Sequence, residues 1–232
     1  LLGVDRKDVY SGRELINVYR DYTVSRSDAC LNKLLLHNLE DVLNMHYISG
    51  ILKYLKLTYC SVHYCGYDEK EYTDYNGSIK KELILRSVTD TGDSGLKDFT
   101  TSYNSGFGSF IMNCKCCGDI TVRITLLSGC LKYFIPNYRD YYYLPKEDMC
   151  IYKSMGSGVS KADIENAKKE TCYIKCTDIF IPVNDRASIP SHVKCFRDEY
   201  KSKCEYIRLT DFINMSDDEK SAYTAAVIRS FR

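Results

Sequence analysis

Apolar residues recur at three- and four-residue steps up to about Tyr54 and at two-residue steps after Ile79, and this change of period restricts the fold more than any other feature. A period near 3.6 lays one stripe along a helix, whereas a period of 2 lays one face along a strand. A chain patterned in this order is helical first and strand-rich afterwards, which defines an α+β protein. Val9, Leu15, Ile16, Val18, Tyr19 and Tyr22 predict a helix over 8–22, with Gly12 as its weak point. Ser27 or Asp28 can cap a second helical run, in which Leu31, Leu34, Leu35, Leu39, Val42 and Leu43 carry the stripe onward through Ile51 and Leu52. That run reads either as one helix or as two broken near His37.

Residues 60–77, rich in tyrosine, glycine, cysteine and acids, read as a linker or irregular crossing. Beyond it, Ile79–Val88 alternates as a strand, and Ser109–Cys117 with Ile120–Leu127 reads as a hairpin about Gly118-Asp119. Ser128-Gly129 is expected to turn the chain into a strand over Cys130–Ile135, followed by a tyrosine-rich loop over 137–145. In that strand Leu131, Tyr133 and Ile135 share one face and Lys132 and Phe134 the other. Ser160-Lys161-Ala162-Asp163 has the form of a capping box, predicting a helix to about Glu170. Strands are expected over Cys172–Val183 and Cys204–Leu209, then a terminal helix capped at Ser216-Asp217-Asp218-Glu219 and running through Ile228.

Hydrophobic content of 44%, with 27% charged and 12% aromatic residues, is that of a chain that folds. Thirty-two basic against 31 acidic residues leave a net charge of +1, so contact with nucleic acid has to come from a local patch. No apolar run approaches the ~20 residues that span a bilayer, and Asp5, Arg6, Lys7 and Asp8 stand where a signal peptide has its apolar core. A cytoplasmic protein without a membrane segment is expected. The first residue is Leu1 instead of methionine, from which a processed or truncated chain is expected. The twelve cysteines are expected to be reduced core thiols. Cys114, Cys116, Cys117, Cys172 and Cys176 could supply four thiolates to zinc, but the sequence lacks the two Cys-x-x-Cys pairs of a zinc ribbon, so zinc is not expected.

The segment His37-Asn38-Leu39-Glu40-Asp41-Val42-Leu43-Asn44-Met45 carries the chemistry. On a helix, His37 and Asp41 stand four residues apart and point the same way, so both can enter one site. The same spacing also occurs on solvated helix faces, and Glu40 is expected on another face, in solvent.

This segment resembles the closing motif of the DEDD exonuclease superfamily, in its ribonuclease H-like branch, which reads Tyr or His, Asn, two variable residues, Asp and then an apolar helix. Gly3-Val4-Asp5-Arg6-Lys7, Tyr10-Ser11-Gly12-Arg13-Glu14 and Tyr19-Arg20-Asp21-Tyr22 resemble the loop and helix that precede it. The resemblance implies that 1–58 is the C-terminal helical part of a ribonuclease H-like domain. A mainly antiparallel β domain with peripheral helices, 59–232, then follows as an accessory region. In that family four carboxylates hold two divalent metals for phosphodiester hydrolysis. Asp41 is then a ligand to Mg²⁺ or Mn²⁺, and His37 orients or deprotonates the attacking water. The position of His37 is often tyrosine, and a histidine four instead of five residues before the aspartate departs from the common histidine subtype. The earlier motifs, an Asp-x-Glu on the first strand and a middle aspartate, have no counterpart before Asp41. The implied molecule is the C-terminal portion of a metal-dependent 3′–5′ exonuclease, inactive as this fragment alone.

In the β-rich region Lys132, Tyr133, Arg139 and Tyr142 interleave cations with aromatic rings, as surfaces that bind single-stranded nucleic acid do. Tyrosine is also a good strand residue that packs its ring and keeps its hydroxyl wet. A non-enzymatic binding module for nucleic acid or protein, and a secreted disulfide-linked protein, are the competing readings.

Overall fold

A computed structural model describes residues 7–49, 52–74, 76–90, 96–106, 108–158 and 160–231. The chain divides into two compact units, Leu1–Tyr59 with Ser94–Leu96, and Cys60–Asp93 with Lys97–Arg232.

The first unit is helical: α1 (Gly12–Ser25), α2 (Asp28–Ser49) and α3 (Leu52–Leu55), the last running into a 3₁₀ turn over Lys56–Thr58. α1 begins four residues later than its apolar pattern suggests because Ser11 and Glu14 form a capping box. The Glu14 carboxylate accepts the Ser11 N–H at 2.7 Å and the Ser11 hydroxyl accepts the Glu14 N–H at 3.4 Å. Val9 is thereby left ahead of the helix and exposed. α1 ends at Arg26, whose left-handed backbone (φ 53°) returns its N–H to the Tyr22 carbonyl at 2.8 Å. α2 is unbroken through His37. Ile51, expected on its stripe, lies outside the described residues. Leu15 and Leu57 are buried, whereas Leu35, Leu39, Val42 and Leu43 remain more than half exposed.

The second unit holds three antiparallel sheets. The largest has the order β1-β2-β5-β4-β3, from β1 (Val62–Thr73), β2 (Ile79–Thr89), β3 (Phe99–Ser105), β4 (Gly108–Cys114) and β5 (Asp119–Thr125). β1 occupies the stretch expected as a linker: it pairs with β2 from Val62↔Thr89 to Thr73↔Ile79, with a bulge between Tyr64 and Gly66. The β4–β5 turn falls where Gly118 predicts it, with Gly118 at φ 92° and the Lys115 N–H on the Asp119 carbonyl at 2.9 Å. Leu83 and Leu85, Phe110 and Met112, and Ile120, Val122 and Ile124 are buried at alternate positions of their strands.

β6 (Leu127–Phe134), β10 (Tyr173–Val183) and β11 (Glu205–Arg208) make a sheet of order β11-β10-β6. Ser128 and Gly129 do not turn the chain, because both are paired, with Ile179 and Asp178. Tyr141–Leu144, inside the expected loop, is β7, and it joins β8 (Met149–Tyr152) and β9 (Glu165–Asn166) in the order β8-β7-β9. The helix expected over 160–170 is a single 3₁₀ turn, Lys161–Asp163. The Ser160 hydroxyl does cap, accepting the Ala162 N–H, but the next residues are taken into β9 by pairing with Tyr142 and Tyr143. α4 (Leu209–Ile213) and α5 (Asp217–Arg229) close the chain. The capping box of Ser216 and Glu219 starts α5 as expected, and α5 buries Tyr223, Thr224, Val227 and Ile228. The Tyr223 hydroxyl donates to the Pro182 carbonyl at 2.8 Å. The architecture is the α+β arrangement expected, helices followed by mainly antiparallel sheets with helices at the end.

Candidate functional site

The site is built by α2 and the short segment before α1. His37, Glu40 and Asp41 lie three and four residues apart and therefore share one helix face. Glu40 is not left to solvent as expected: its two oxygens accept the backbone N–H groups of Lys7 and Asp8 at 2.9 and 3.0 Å. This clamp holds the Lys7–Ser11 segment along α2. Lys33, two turns before Glu40, adds a cation–π contact, its Nζ 5.2 Å from the centre of the Tyr10 ring.

Asp8 is thereby placed under the imidazole of His37. One of its oxygens accepts the Tyr10 N–H at 3.0 Å, and the other meets His37 Nδ1 in a short contact. The opposite ring nitrogen, Nε2, lies 3.2 Å from Asp41 Oδ2. The two carboxylates differ sharply in environment, with side-chain exposure of 1% for Asp8 and 50% for Asp41. The histidine thus stands between a buried carboxylate and a half-exposed one. Of these residues, His37 and Asp41 are legible from spacing. Asp8 is not, because its contact with His37 bridges 29 positions of sequence.

A divalent metal of the Mg²⁺ or Mn²⁺ type asks for hard oxygen ligands, usually one or two carboxylates with water completing the shell. Glu40 accepts two backbone amides, Asp8 contacts Tyr10 and His37, and Asp41, which faces His37, is half exposed. Among the described residues no group of three or more His, Cys, Asp or Glu is arranged to hold a metal. These residues therefore do not fit a two-metal centre on their own.

The aromatic and basic residues singled out in the β-rich region are distributed over β6, the Tyr138–Asp140 turn and β7. Lys132 and Tyr133 are neighbours on β6 and project to opposite faces. Lys132 lies over the Tyr173 ring at 4.6 Å, and the Tyr133 ring packs at 6.0 Å from Phe196 with Lys194 over it at 5.0 Å. Arg139 sits exposed in the 3₁₀ turn Tyr138–Asp140, over the ring of Tyr138. Tyr142 is half-buried on β7, with the Lys153 Nζ 5.5 Å from its ring centre.

Another polar group, not singled out from sequence, centres on Asp148 in the β7–β8 turn. Its carboxylate takes the hydroxyls of Tyr143, at 2.8 Å, and Tyr173, and the Lys175 ammonium at 2.6 Å. Lys175 first, then the two tyrosine hydroxyls, hold the Asp148 carboxyl well below the usual carboxylate range. Burial and the same carboxylate raise Tyr173. None of the twelve cysteines is in a disulfide. Burial pushes the thiols of Cys114 and Cys195 up to about 11, and burial with Cys150 alongside pushes Cys172 up to about 12.

The model of the RNase H superfamily matches residues 1–53, the segment that carries Asp8, His37, Glu40 and Asp41. The match relates this helical segment to RNase H-like proteins. No curated protein and no solved structure matches the chain. No helix among the described residues is long and apolar enough to cross a membrane.

Proposed function

We propose that residues 1–58 are the closing, helical part of a metal-dependent 3′–5′ exonuclease of the DEDD type, with 59–232 as its β-rich accessory domain. The observation that carries this reading is the approach of His37 Nε2 to Asp41 Oδ2 at 3.2 Å on one face of α2, inside the segment related to the RNase H superfamily. Asp41 would give one carboxylate to Mg²⁺ or Mn²⁺, ions that make phosphodiester hydrolysis feasible by activating water and stabilising the leaving oxygen. His37 would orient that water and accept its proton. Because no group of the described residues is arranged to hold a metal, hydrolysis requires carboxylates beyond them.

The exposed apolar side chains of α2 agree with this reading. Leu35, Leu39, Val42 and Leu43 form an uncovered face of the kind that a helical end would bury against the strand-bearing remainder of its domain. Single-stranded nucleic acid is the proposed substrate, with Lys132, Tyr133, Arg139 and Tyr142 as contacts on the accessory domain. The absence of disulfides suits a reducing compartment such as the cytoplasm.

The test compares the complete polypeptide with its Asp41→Asn variant on end-labelled single-stranded DNA and RNA in Mn²⁺. A loss of about 100-fold or more in rate is expected from removing a metal ligand. Equal degradation by both proteins overturns the assignment.

A further inference from the structure

We propose that the pocket lined by Phe134, Cys195, Arg197, Tyr200 and Glu205 takes an unpaired base of a single-stranded nucleic acid, stacked on Phe134 and Tyr200. The inference deepens the reading of the β-rich domain as a contact for the strand and rests on that reading.

The alternation of β6 sets which side chains meet here. Leu131 is buried with Phe180 and Phe196, which turns Lys132 and Phe134 to the opposite face. Lys132 stands opposite Lys175 of β10 on one side. On the other it faces Arg197, with which it exchanges both backbone hydrogen bonds, at 2.7 and 2.9 Å. Phe134 stands opposite Tyr173, and its ring meets those of Tyr173 and Tyr200 edge-to-face, at 5.5 and 5.4 Å. Directly opposed residues share a face, so the cations Lys175, Lys132 and Arg197 lie beside the rings of Tyr173, Phe134 and Tyr200. Cations and rings are interleaved on this face across strands, and of the residues picked out along the sequence it includes Lys132.

The pocket lies at the Arg197 and Tyr200 end of this face. Its volume of about 190 Å³ is below the ~300–1,000 Å³ of sites for drug-sized molecules and suits one planar ring system. Phe134, Arg197 and Tyr200 are half-buried, so each keeps surface for a ligand. The polar wall is held in place before anything binds. Arg197 Nε donates to Glu205 Oε1 at 3.0 Å, Nη2 meets the same oxygen in a short contact, and Nη1 donates to the Tyr200 carbonyl at 3.2 Å. A guanidinium has five N–H groups and a carboxylate two acceptor oxygens, so the pair still has donors and an acceptor for the edge of a base. Charge decides which part of the strand is gripped. Lys175 pairs with Asp148 at 2.6 Å, Arg197 with Glu205, and Lys132 interacts electrostatically with Asp198. Three carboxylates offset three cations, so stacking of the base outweighs attraction of phosphate.

Fluorescence anisotropy of labelled single strands of about 12 nucleotides, DNA and RNA, titrated with the full 232-residue chain in a metal chelator, reads binding apart from hydrolysis. Tyr200→Ala is expected to weaken binding about 5–150-fold, the worth of one stacked base, and Tyr200→Phe to preserve it. The logarithmic salt dependence is expected to be no steeper than two phosphate contacts give, at ~0.7 each for a single strand. A strand carrying 5-iodouracil is expected to photocrosslink to Phe134 or Tyr200 of the native chain, a result that needs no variant to fold. Crosslinks confined to other residues, unchanged binding by Tyr200→Ala, a steeper salt dependence, or a nucleoside monophosphate that binds as tightly as the strand each overturns the pocket. A native chain that binds no strand overturns it together with the strand-contact reading of this domain. If the complete polypeptide binds through Tyr200 and hydrolyses nothing, the nuclease reading fails and the pocket stands.

Discussion

Arg123 of β5 grips the carboxylate of Glu82 of β2 with two parallel hydrogen bonds, Nε to Oε2 at 3.0 Å and Nη2 to Oε1 at 2.7 Å. The Glu82 side chain is 6% exposed and that of Arg123 38%, so the pair is buried on its acidic side. Removing the guanidinium strands a desolvated carboxylate. Arg123→Met is expected to cost about 2–4 kcal/mol, a little under the range for a fully buried pair because the arginine is partly hydrated. Glu82→Leu in the same chain should recover most of that loss. Urea midpoints of the two single variants and the double variant measure it, and an Arg123→Met chain as stable as the native one would show that the fork contributes nothing.

Acid should unfold the protein partly through Asp148. Its native carboxyl is held below the usual range by Lys175, Tyr173 and Tyr143, while in the unfolded chain it titrates near ~3.9. The unfolded state therefore binds the proton first as pH falls. The contribution is complete above about pH 4 and is lost as pH drops toward the depressed native value. Asp148→Asn is expected to flatten the acid limb of the melting temperature against pH. Asparagine also tolerates the left-handed backbone at this turn, where φ is 48°. An acid limb as steep as that of the native protein would exclude Asp148 as its source.

The thiols should separate by exposure and thiolate character. Cys65, Cys117 and Cys130 are exposed and are expected to react promptly with a disulfide reagent in the native protein at about pH 8. Cys116 is also exposed, but its pKa is raised by the hydrogen bond with Asp98, so it should lag. Cys114, Cys172 and Cys195, with thiols near 11 or 12, should stay protected until the chain unfolds. Twelve reactive thiols in denaturant without reductant is the expected total, and a lower count would reveal disulfides.

What could be read in advance followed from whether an element's pattern is local. The Ser216–Glu219 box starts α5 because both halves of the cap lie within one turn. The same logic at Ser11 and Glu14 sets the start of α1, and the apolar pattern alone, which includes Val9, points too early. β1 was illegible for a different reason. It lies at the edge of its sheet, and Asp68 through Thr73 are exposed on both faces, so no alternation of polarity marks the strand. Lys161–Asp163 began with a proper cap, but no apolar stripe followed to sustain a helix, and pairing with β7 took Glu165 and Asn166 instead.

The candidate site divides in the same way. His37 and Asp41 were visible because helix geometry alone brings residues four apart together. Asp8 and the clamp from Glu40 depend on a loop folding back along α2, and nothing in the spacing of 29 to 33 residues announces it.

The charged run of β1 has a bearing on how the chain behaves in company. A border strand offers its unpaired backbone groups to any extended segment that approaches, which is how sheets recruit foreign strands and grow into fibres. Here a newcomer would meet Asp68, Glu69, Lys70 and Glu71 in succession, and would have to strip water from each to dock. The acid-rich border thus discourages strand-by-strand growth on that side of the sheet, at no cost to the interior formed by Leu83, Leu85 and Ile124.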